Sequence, residues 1–107
     1  MQPEQLCEFT SKNIDDMKGH DITVIDVRNK ASFTDFMVIA SGNSSKHVKS
    51  IAQHVALEAR AQGTEPLGVE GVDVGEWCLI DLGSVVVHVM TEATRDLYEL
   101  EKLWSDV

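Results

Sequence analysis

The sequence of 107 residues has only two cysteines, and this scarcity excludes several protein classes. Cys7 and Cys78 lie 71 residues apart with no further Cys or His at metal-ligand spacing. Neither a disulfide framework nor a zinc site is therefore indicated, and a reducing compartment fits best. A chain of this length buries roughly 60 to 70% of the surface that its unfolded form exposes, which is enough to fold without such staples.

Long apolar runs and targeting patterns are also missing. No apolar run reaches the ~18 residues that a membrane span needs. The N-terminus has no apolar signal core and no cation before Lys12, so neither a signal nor a transit peptide is indicated. The sequence also lacks linkers, repeats and low-complexity segments. We therefore expect one domain over residues 1–107, located in the cytoplasm and without membrane contact.

Basic residues are few, since 9 Lys and Arg stand against 18 Asp and Glu, for a net charge of -9. A polyanion of this kind repels phosphate backbones, so we expect little direct nucleic-acid contact. Residues 65–107 hold 10 acidic residues but only Arg95 and Lys102, a net charge of -8. A basic protein surface is a natural partner for such a segment, although the same charge also serves solubility.

Residue patterning predicts an α/β fold, with a mixed five-stranded sheet, helices packed on it and the order α-β-β-α-β-β-β-α. Strands are expected at residues 21–27, 35–41, 67–70, 77–82 and 85–90. The first two strands carry apolar residues at both odd and even positions. They should therefore be central strands, covered on both faces.

Apolar residues at helical spacing predict three helices. The first covers residues 3–18, and the second is capped by Ser44 or Ser45 and ends before Gly63. The third begins after Thr91, which is its expected N-cap. Its apolar side is expected to carry Leu97, Leu100 and Trp104, and its polar side Arg95, Glu99 and Glu101.

The dipeptide Gly83-Ser84 is a two-residue turn signal, and it fixes the register of a hairpin between the last two strands. One face of this hairpin should be wholly apolar and should belong to the core; it consists of Cys78, Ile80, Leu82, Val85, Val87 and Val89. The other face is mixed, as in a partly exposed binding surface; it consists of Trp77, Leu79, Asp81, Val86, His88 and Met90.

Patterns that could carry catalysis favour structural explanations instead. Residues 42–45 form a turn before a helix and could hold an anion, but a turn with an N-cap explains them. The strand after that helix offers only Glu70, whereas nucleotidyltransferases need paired carboxylates for metal. His47 and His54 are two helical turns apart and are interpreted as surface imidazoles. For His88 near Asp81, a structural hydrogen bond is favoured over catalysis. We expect no enzyme activity, metal or cofactor.

Motifs along nearly the whole chain resemble the ribosomal silencing factor (Iojap) family. They are residues 21–27 (DITVIDV), 34–48 (TDFMVIASGNSSKHV), 70–71 (EG), 77–83 (WCLIDLG), 87–90 (VHVM) and 95–104 (RDLYELEKLW).

The resemblance implies a nucleotidyltransferase-like fold and a non-enzymatic translational repressor. Such a factor binds large-subunit ribosomal protein fourteen on the large ribosomal subunit, blocks joining of the small subunit and lowers translation when nutrients are short. It also implies that family members are often dimeric and that organellar relatives act in large-subunit assembly.

Carried over by position, the expected partner-binding residues are Trp77, Leu79, Asp81, Leu82, Gly83, His88, Met90, Arg95, Tyr98 and Glu99. As hypotheses, Trp77 and Met90 supply an apolar anchor and Tyr98 an aromatic ring with a polar tip. Asp81 and Glu99 are expected to pair with Lys or Arg of the partner. Three alternatives stay open: a large-subunit assembly factor, an active nucleotidyltransferase, and a module whose hairpin face meets its own copy in a homodimer.

Overall fold

The structure is a computed structural model that describes residues 1–105. The expected domain also includes residues 106 and 107, which lie outside the described residues. The elements are α1 (Pro3–Asp16), β1 (His20–Asp26), β2 (Phe36–Gly42), α2 (Ser45–Ala61), β3 (Gly68–Glu70), β4 (Trp77–Asp81), β5 (Val85–Thr91), α3 (Glu92–Tyr98) and α4 (Leu100–Ser105). Within residues 1–105, every helix is too short or too polar to cross a membrane.

The predicted α/β class and mixed five-stranded sheet are confirmed. The strand order is β1-β2-β5-β4-β3, with a parallel β2–β5 pair at the centre and antiparallel pairs elsewhere. All seven residues of β2 are buried, as a central strand requires. The central position predicted for β1 is wrong, because β1 pairs only with β2 and forms an edge. Its apolar residues fall on both parities because α1 packs on one side of it and α4 on the other.

Two helices, α1 and α2, cover the first face of the sheet. The predicted apolar side of α2 is confirmed, since Val48, Ile51, Ala52, Val55 and Ala59 are all buried. Ser44 caps this helix by accepting a hydrogen bond from the backbone N–H of His47 at 3.1 Å. The main core lies between these helices and the sheet.

The chain after β5 forms two short helices rather than the single helix that its periodicity predicts. Thr91 is the N-cap of α3, as expected, but Glu99 adopts a left-handed conformation with φ of 48° and ends the helix. Leu100 is buried beyond this break, whereas Leu97 is 75% exposed. The expected apolar side is therefore wrong at Leu97, because spacing i, i+3 places two residues on one face only within a continuous helix.

Candidate interaction surface

The hairpin of β4 and β5 has the register that its turn predicts. Trp77 pairs with Met90, Leu79 with His88 and Asp81 with Val86 on one face. The turn closes with a hydrogen bond from Leu82 N to Val85 O at 2.9 Å, and Gly83 takes a φ of 86° that few other residues adopt. All residues of the predicted core face are buried; they are Cys78, Ile80, Leu82, Val85, Val87 and Val89.

The two strands of the hairpin differ in how far their mixed-face residues are covered: those of β5 are buried, and those of β4 are partly open. The β5 residues Val86, His88 and Met90 are buried, and Met90 and the helical Leu100 belong to a second, smaller core that includes β1 and β2. The β4 residues are partly exposed, since buried and partly exposed residues alternate along this strand. We call Trp77, Leu79 and Asp81 the open strip.

Three expected contact residues lie beneath this surface rather than on it. Met90 is fully buried and His88 is only 5% exposed, so Met90 does not provide the surface anchor expected of it. Leu82 is buried on the opposite, core face. Met90 and His88 lie on the face where α3 packs against β5 and where Met90 joins the second core. Leu82 instead belongs to the main core on the other face.

Trp77 is held by contacts on two sides. Its indole Nε1–H donates a hydrogen bond to Nδ1 of His88 at 3.0 Å. The ring of Tyr98 lies 4.9 Å from the indole, centroid to centroid, at a tilt of 49°, a separation within the range of aromatic pairs in contact. Trp77 remains partly exposed, and Tyr98 is 55% exposed. The two aromatic residues therefore form one surface feature, although they come from different elements.

The break between α3 and α4 adds an exposed corner next to this aromatic pair. Tyr98, Glu99, Lys102 and Leu103 line an open depression of about 340 Å³. We call these four residues the α3–α4 corner. Leu103 and Lys102 were missed by the sequence reasoning, because their position depends on a helix break that the residue pattern does not signal. The open strip and the corner meet where Tyr98 contacts Trp77.

Arg95 is expected at the partner surface, but its side chain is only 10% exposed and is used internally. Its guanidinium donates to both carboxylate oxygens of Glu101 at 2.7 and 3.1 Å. It also donates to Ser41 Oγ at 2.8 Å and Thr23 Oγ1 at 3.2 Å. Hydrogen bonding by Arg95 lowers the pKa of Glu101. Arg95 thus ties α3 to α4, β1 and β2.

Asp81 and His88 do not form the hydrogen bond that was favoured for them. Asp81 Oδ1 accepts from the backbone N–H of Gly83 at 2.9 Å, while His88 accepts from Trp77. Burial lowers the pKa of His88 to about 4. Both side chains therefore have structural partners, and Asp81 remains partly exposed at the far end of the open strip.

The turn at residues 42–45 satisfies its own donors. His47 Nδ1 accepts from Asn43 N at 2.9 Å, and the other ring nitrogen is hydrogen-bonded to the carbonyl of Met17 at 2.7 Å. With Ser44 as N-cap, these contacts explain the turn without an anion. The imidazole of His47 is therefore a bridge between α2 and the end of α1 rather than a free surface group.

One group of side chains with metal-ligating atoms was not predicted. His20, Asp21 and Glu92 place such atoms within 4.8 Å of one another. Glu92 and His20 already form a 2.8 Å contact, and both carboxylates are exposed. His20 and Glu92 are 72 residues apart in sequence, so no local spacing could have revealed the group.

Comparison with known proteins gives a family match over the whole chain. A family model described as "Ribosomal silencing factor during starvation" matches residues 1–107. The chain is 42% identical over 100 residues to Ribosomal silencing factor RsfS of Haemophilus influenzae, covering 94% of this chain and 98% of that protein. It is 36% identical over 90 residues to the mouse protein named Mitochondrial assembly of ribosomal large subunit protein 1, covering 81% of this chain and 40% of that protein.

Solved structures agree with this match. The crystal structure of protein CV0518 from Chromobacterium violaceum is 37% identical and superposes with a TM-score of 0.96, covering 98% of this chain and 88% of that chain. A crystal structure from Bacillus halodurans is 38% identical with a TM-score of 0.86, covering 94% of each chain.

Proposed function

The chain belongs to the ribosomal silencing factor family, and from this premise we propose that it represses translation by binding the large ribosomal subunit. In this proposal it docks on large-subunit ribosomal protein fourteen and sterically blocks joining of the small subunit when nutrients are limiting. The observation that carries the proposal is the partly exposed Trp77–Tyr98 pair between the open strip and the α3–α4 corner.

The chemistry of this surface fits a protein partner. Trp and Tyr are enriched among the residues that dominate binding energy, because a large apolar ring is buried at low entropy cost. Asp81 and Glu99 lie on the open strip and the corner respectively, and both are accessible. Carboxylates around an aromatic centre favour a partner rich in Lys and Arg and speed its encounter. The net charge of -8 in residues 65–107 adds to this attraction.

Binding alone is sufficient for repression, so the proposal requires no catalytic group. A partner-bound protein with principal extents of 34 × 32 × 21 Å is large enough to obstruct an interface between subunits. The residues of the candidate surface also have binding rather than catalytic chemistry, since His88 is buried and Asp81 caps a turn.

A role in large-subunit assembly is a second candidate, favoured by the name of the mouse relative. Both roles use contact with the large subunit, so they differ in timing rather than in surface. Ribosome profiles separate them. Loss of an assembly factor leaves immature large subunits during growth, whereas loss of a repressor leaves subunit maturation intact and raises translation in starved cells.

The test of the proposed surface is co-sedimentation with purified large subunits. Replacing an interface Trp by Ala typically costs ~2 kcal/mol or more, so Trp77→Ala should bind about 30-fold more weakly. Tyr98→Ala should also weaken binding. Leu57→Ala is the control for Tyr98→Ala, because Leu57 is 61% exposed, close to the 55% of Tyr98, but lies on α2, across the sheet.

Subunit joining is measured in the same preparation by light scattering after small subunits are added. The wild type should prevent joining at concentrations where Trp77→Ala does not. Undiminished binding by Trp77→Ala would remove the open strip from the interface. Sedimentation velocity on both proteins covers the homodimer alternative: if only self-association weakens, this surface belongs to a dimer.

A further inference from the structure

We propose that His88 is a positioning residue that sets the orientation of the Trp77 indole at the binding surface. This inference rests on the proposed function, because it concerns how the anchor of that surface is held. His88 is itself too buried to touch a partner, so it acts through Trp77.

The location of His88 makes it a fixed reference point. It lies in the middle of β5, where its backbone pairs with Ile39 of β2 on one side and Leu79 of β4 on the other. Its side chain is on the same face as that of Trp77, one diagonal step away across the strands. The hydrogen bond from the indole N–H to Nδ1 of His88 is 3.0 Å long, a normal length for a good bond.

The protonation state of His88 follows from this contact. Because Nδ1 accepts a hydrogen bond, the single proton of the neutral ring must be on Nε2. Burial keeps the ring neutral, with a pKa of about 4, so the Nδ1 lone pair is free to accept at neutral pH. Among the residues that the structure describes, Nε2 is buried without a hydrogen-bond partner.

An orphaned buried N–H is unfavourable, and His88 is therefore a poor choice for packing alone. Its neighbours on the same strand face, Val86 and Met90, are apolar and fully compatible with the core. The contact that distinguishes His88 from them is its bond to Trp77. We infer that this bond is the reason for an imidazole here, since an aliphatic residue would pack at this position without leaving a buried N–H unbonded.

The hydrogen bond also determines which edge of the Trp77 indole is presented to a partner. Contact with the tilted ring of Tyr98 restricts the indole on one side, but it does not fix which edge of the indole points inward. His88 directs the polar N–H edge inward, so that the exposed part of Trp77 is its apolar edge. The partner pocket should then be apolar and needs no hydrogen-bond acceptor for the indole. Without His88, the N–H would turn toward water and the anchor would lose its single orientation.

Two substitutions at position 88 separate positioning from packing. His88→Asn places an acceptor oxygen near the location of Nδ1, whereas His88→Leu keeps a similar volume without an acceptor. We expect His88→Leu to bind large subunits about five- to tenfold more weakly, the effect of one lost hydrogen bond. The affinity of His88→Asn for large subunits should lie within about twofold of the wild type, because the amide oxygen can accept the same hydrogen bond with less ideal geometry.

The indole N–H signal in ¹H–¹⁵N NMR spectra reports the bond directly, with Trp104→Phe assigning the two tryptophans. In the wild type, the Trp77 N–H should exchange with solvent slowly, and it should exchange rapidly in His88→Leu. An unprotected N–H in the wild type overturns the inference without any variant, so a failure of His88→Leu to fold leaves the test intact.

The outcomes separate this inference from the proposed function. If Trp77→Ala binds weakly while His88→Leu binds like the wild type, the positioning role is wrong and the surface stands. If Trp77→Ala binds normally, the proposed surface is wrong, and a protected indole N–H then supports only the orientation of Trp77 and not its use in binding.

Discussion

Removing the guanidinium of Arg95 should loosen the attachment of α3 and α4 to the sheet. Arg95 makes four hydrogen bonds, two of them to Glu101. Its side chain is 10% exposed and that of Glu101 is 36% exposed. Breaking a fully buried ion pair costs about 3 to 5 kcal/mol, and an exposed pair is worth about 0.2 to 1 kcal/mol. Since Glu101 can still reach water, Arg95→Ala should cost about 2 to 3 kcal/mol of unfolding free energy.

A double-mutant cycle isolates the pair from the other contacts of Arg95. Arg95→Ala, Glu101→Ala and the double variant are unfolded in urea, and the coupling energy is taken from the three changes. We expect about 1 to 2 kcal/mol of coupling, between the values for exposed and buried pairs. For a domain of this size, the single change at Arg95 should lower Tm by roughly 8 to 20 °C.

The matched control is the pair of Arg60 and Glu65, which has a 3.1 Å contact but side chains that are 50% and 69% exposed. Its coupling should stay below about 0.5 kcal/mol. A coupling for Arg95 with Glu101 no larger than this control would refute the reasoning. Arg95→Lys keeps the charge but loses the bidentate geometry. Its free energy of unfolding should therefore lie between those of the wild type and Arg95→Ala.

Three further predictions follow from single features. Because burial lowers the pKa of His88 to about 4, the unfolded chain takes up this proton first as pH falls. The free energy of unfolding should therefore drop by about 2 kcal/mol between pH 7 and 5 in urea titrations, and His88→Asn should lack this component. Gly71 has a φ of 84°, and a Cβ there would overlap the carbonyl oxygen of Trp77. Gly71→Ala should thus destabilise by more than about 1 kcal/mol in thermal unfolding, and an unchanged Tm would contradict this. Asp81→Lys should slow association with large subunits, measured by stopped flow at low salt, more than the exposed control Asp15→Lys.

Short-range sequence rules were sufficient to predict the register of the β4–β5 hairpin. Side chains alternate with a period of two, and a two-residue turn with Gly83 first leaves one register. The structure has that register through all five pairs from Trp77–Met90 to Asp81–Val86. The helix α2 could be predicted equally well, because its cap at Ser44 and its buried apolar side are both local features of the sequence.

Exposure on the hairpin could not be predicted in the same way. Whether His88 and Met90 are covered depends on where α3 and α4 lie, and this is set by contacts distant in sequence. Arg95 reaches Ser41 and Thr23, which are 54 and 72 residues away. The edge position of β1 has a similar origin, because apolar residues on both parities show that two faces are covered but not how many strands are neighbours.

The Arg95–Glu101 pair requires the helix break at Glu99. In one continuous helix, residues six apart lie about 120° apart around the axis and about 9 Å apart along it, too far for a bidentate pair. The 2.7 Å contact is therefore compatible only with a broken helix. Glutamate gives no sequence signal for such a break, since a left-handed helix end usually carries Gly or Asn. The same break leaves Tyr98 against Trp77 while Leu100 enters the core. The internal ion pair and the aromatic surface thus depend on the same helix break, and Arg95→Ala should disturb the Trp77 indole signal although Arg95 itself is bonded elsewhere.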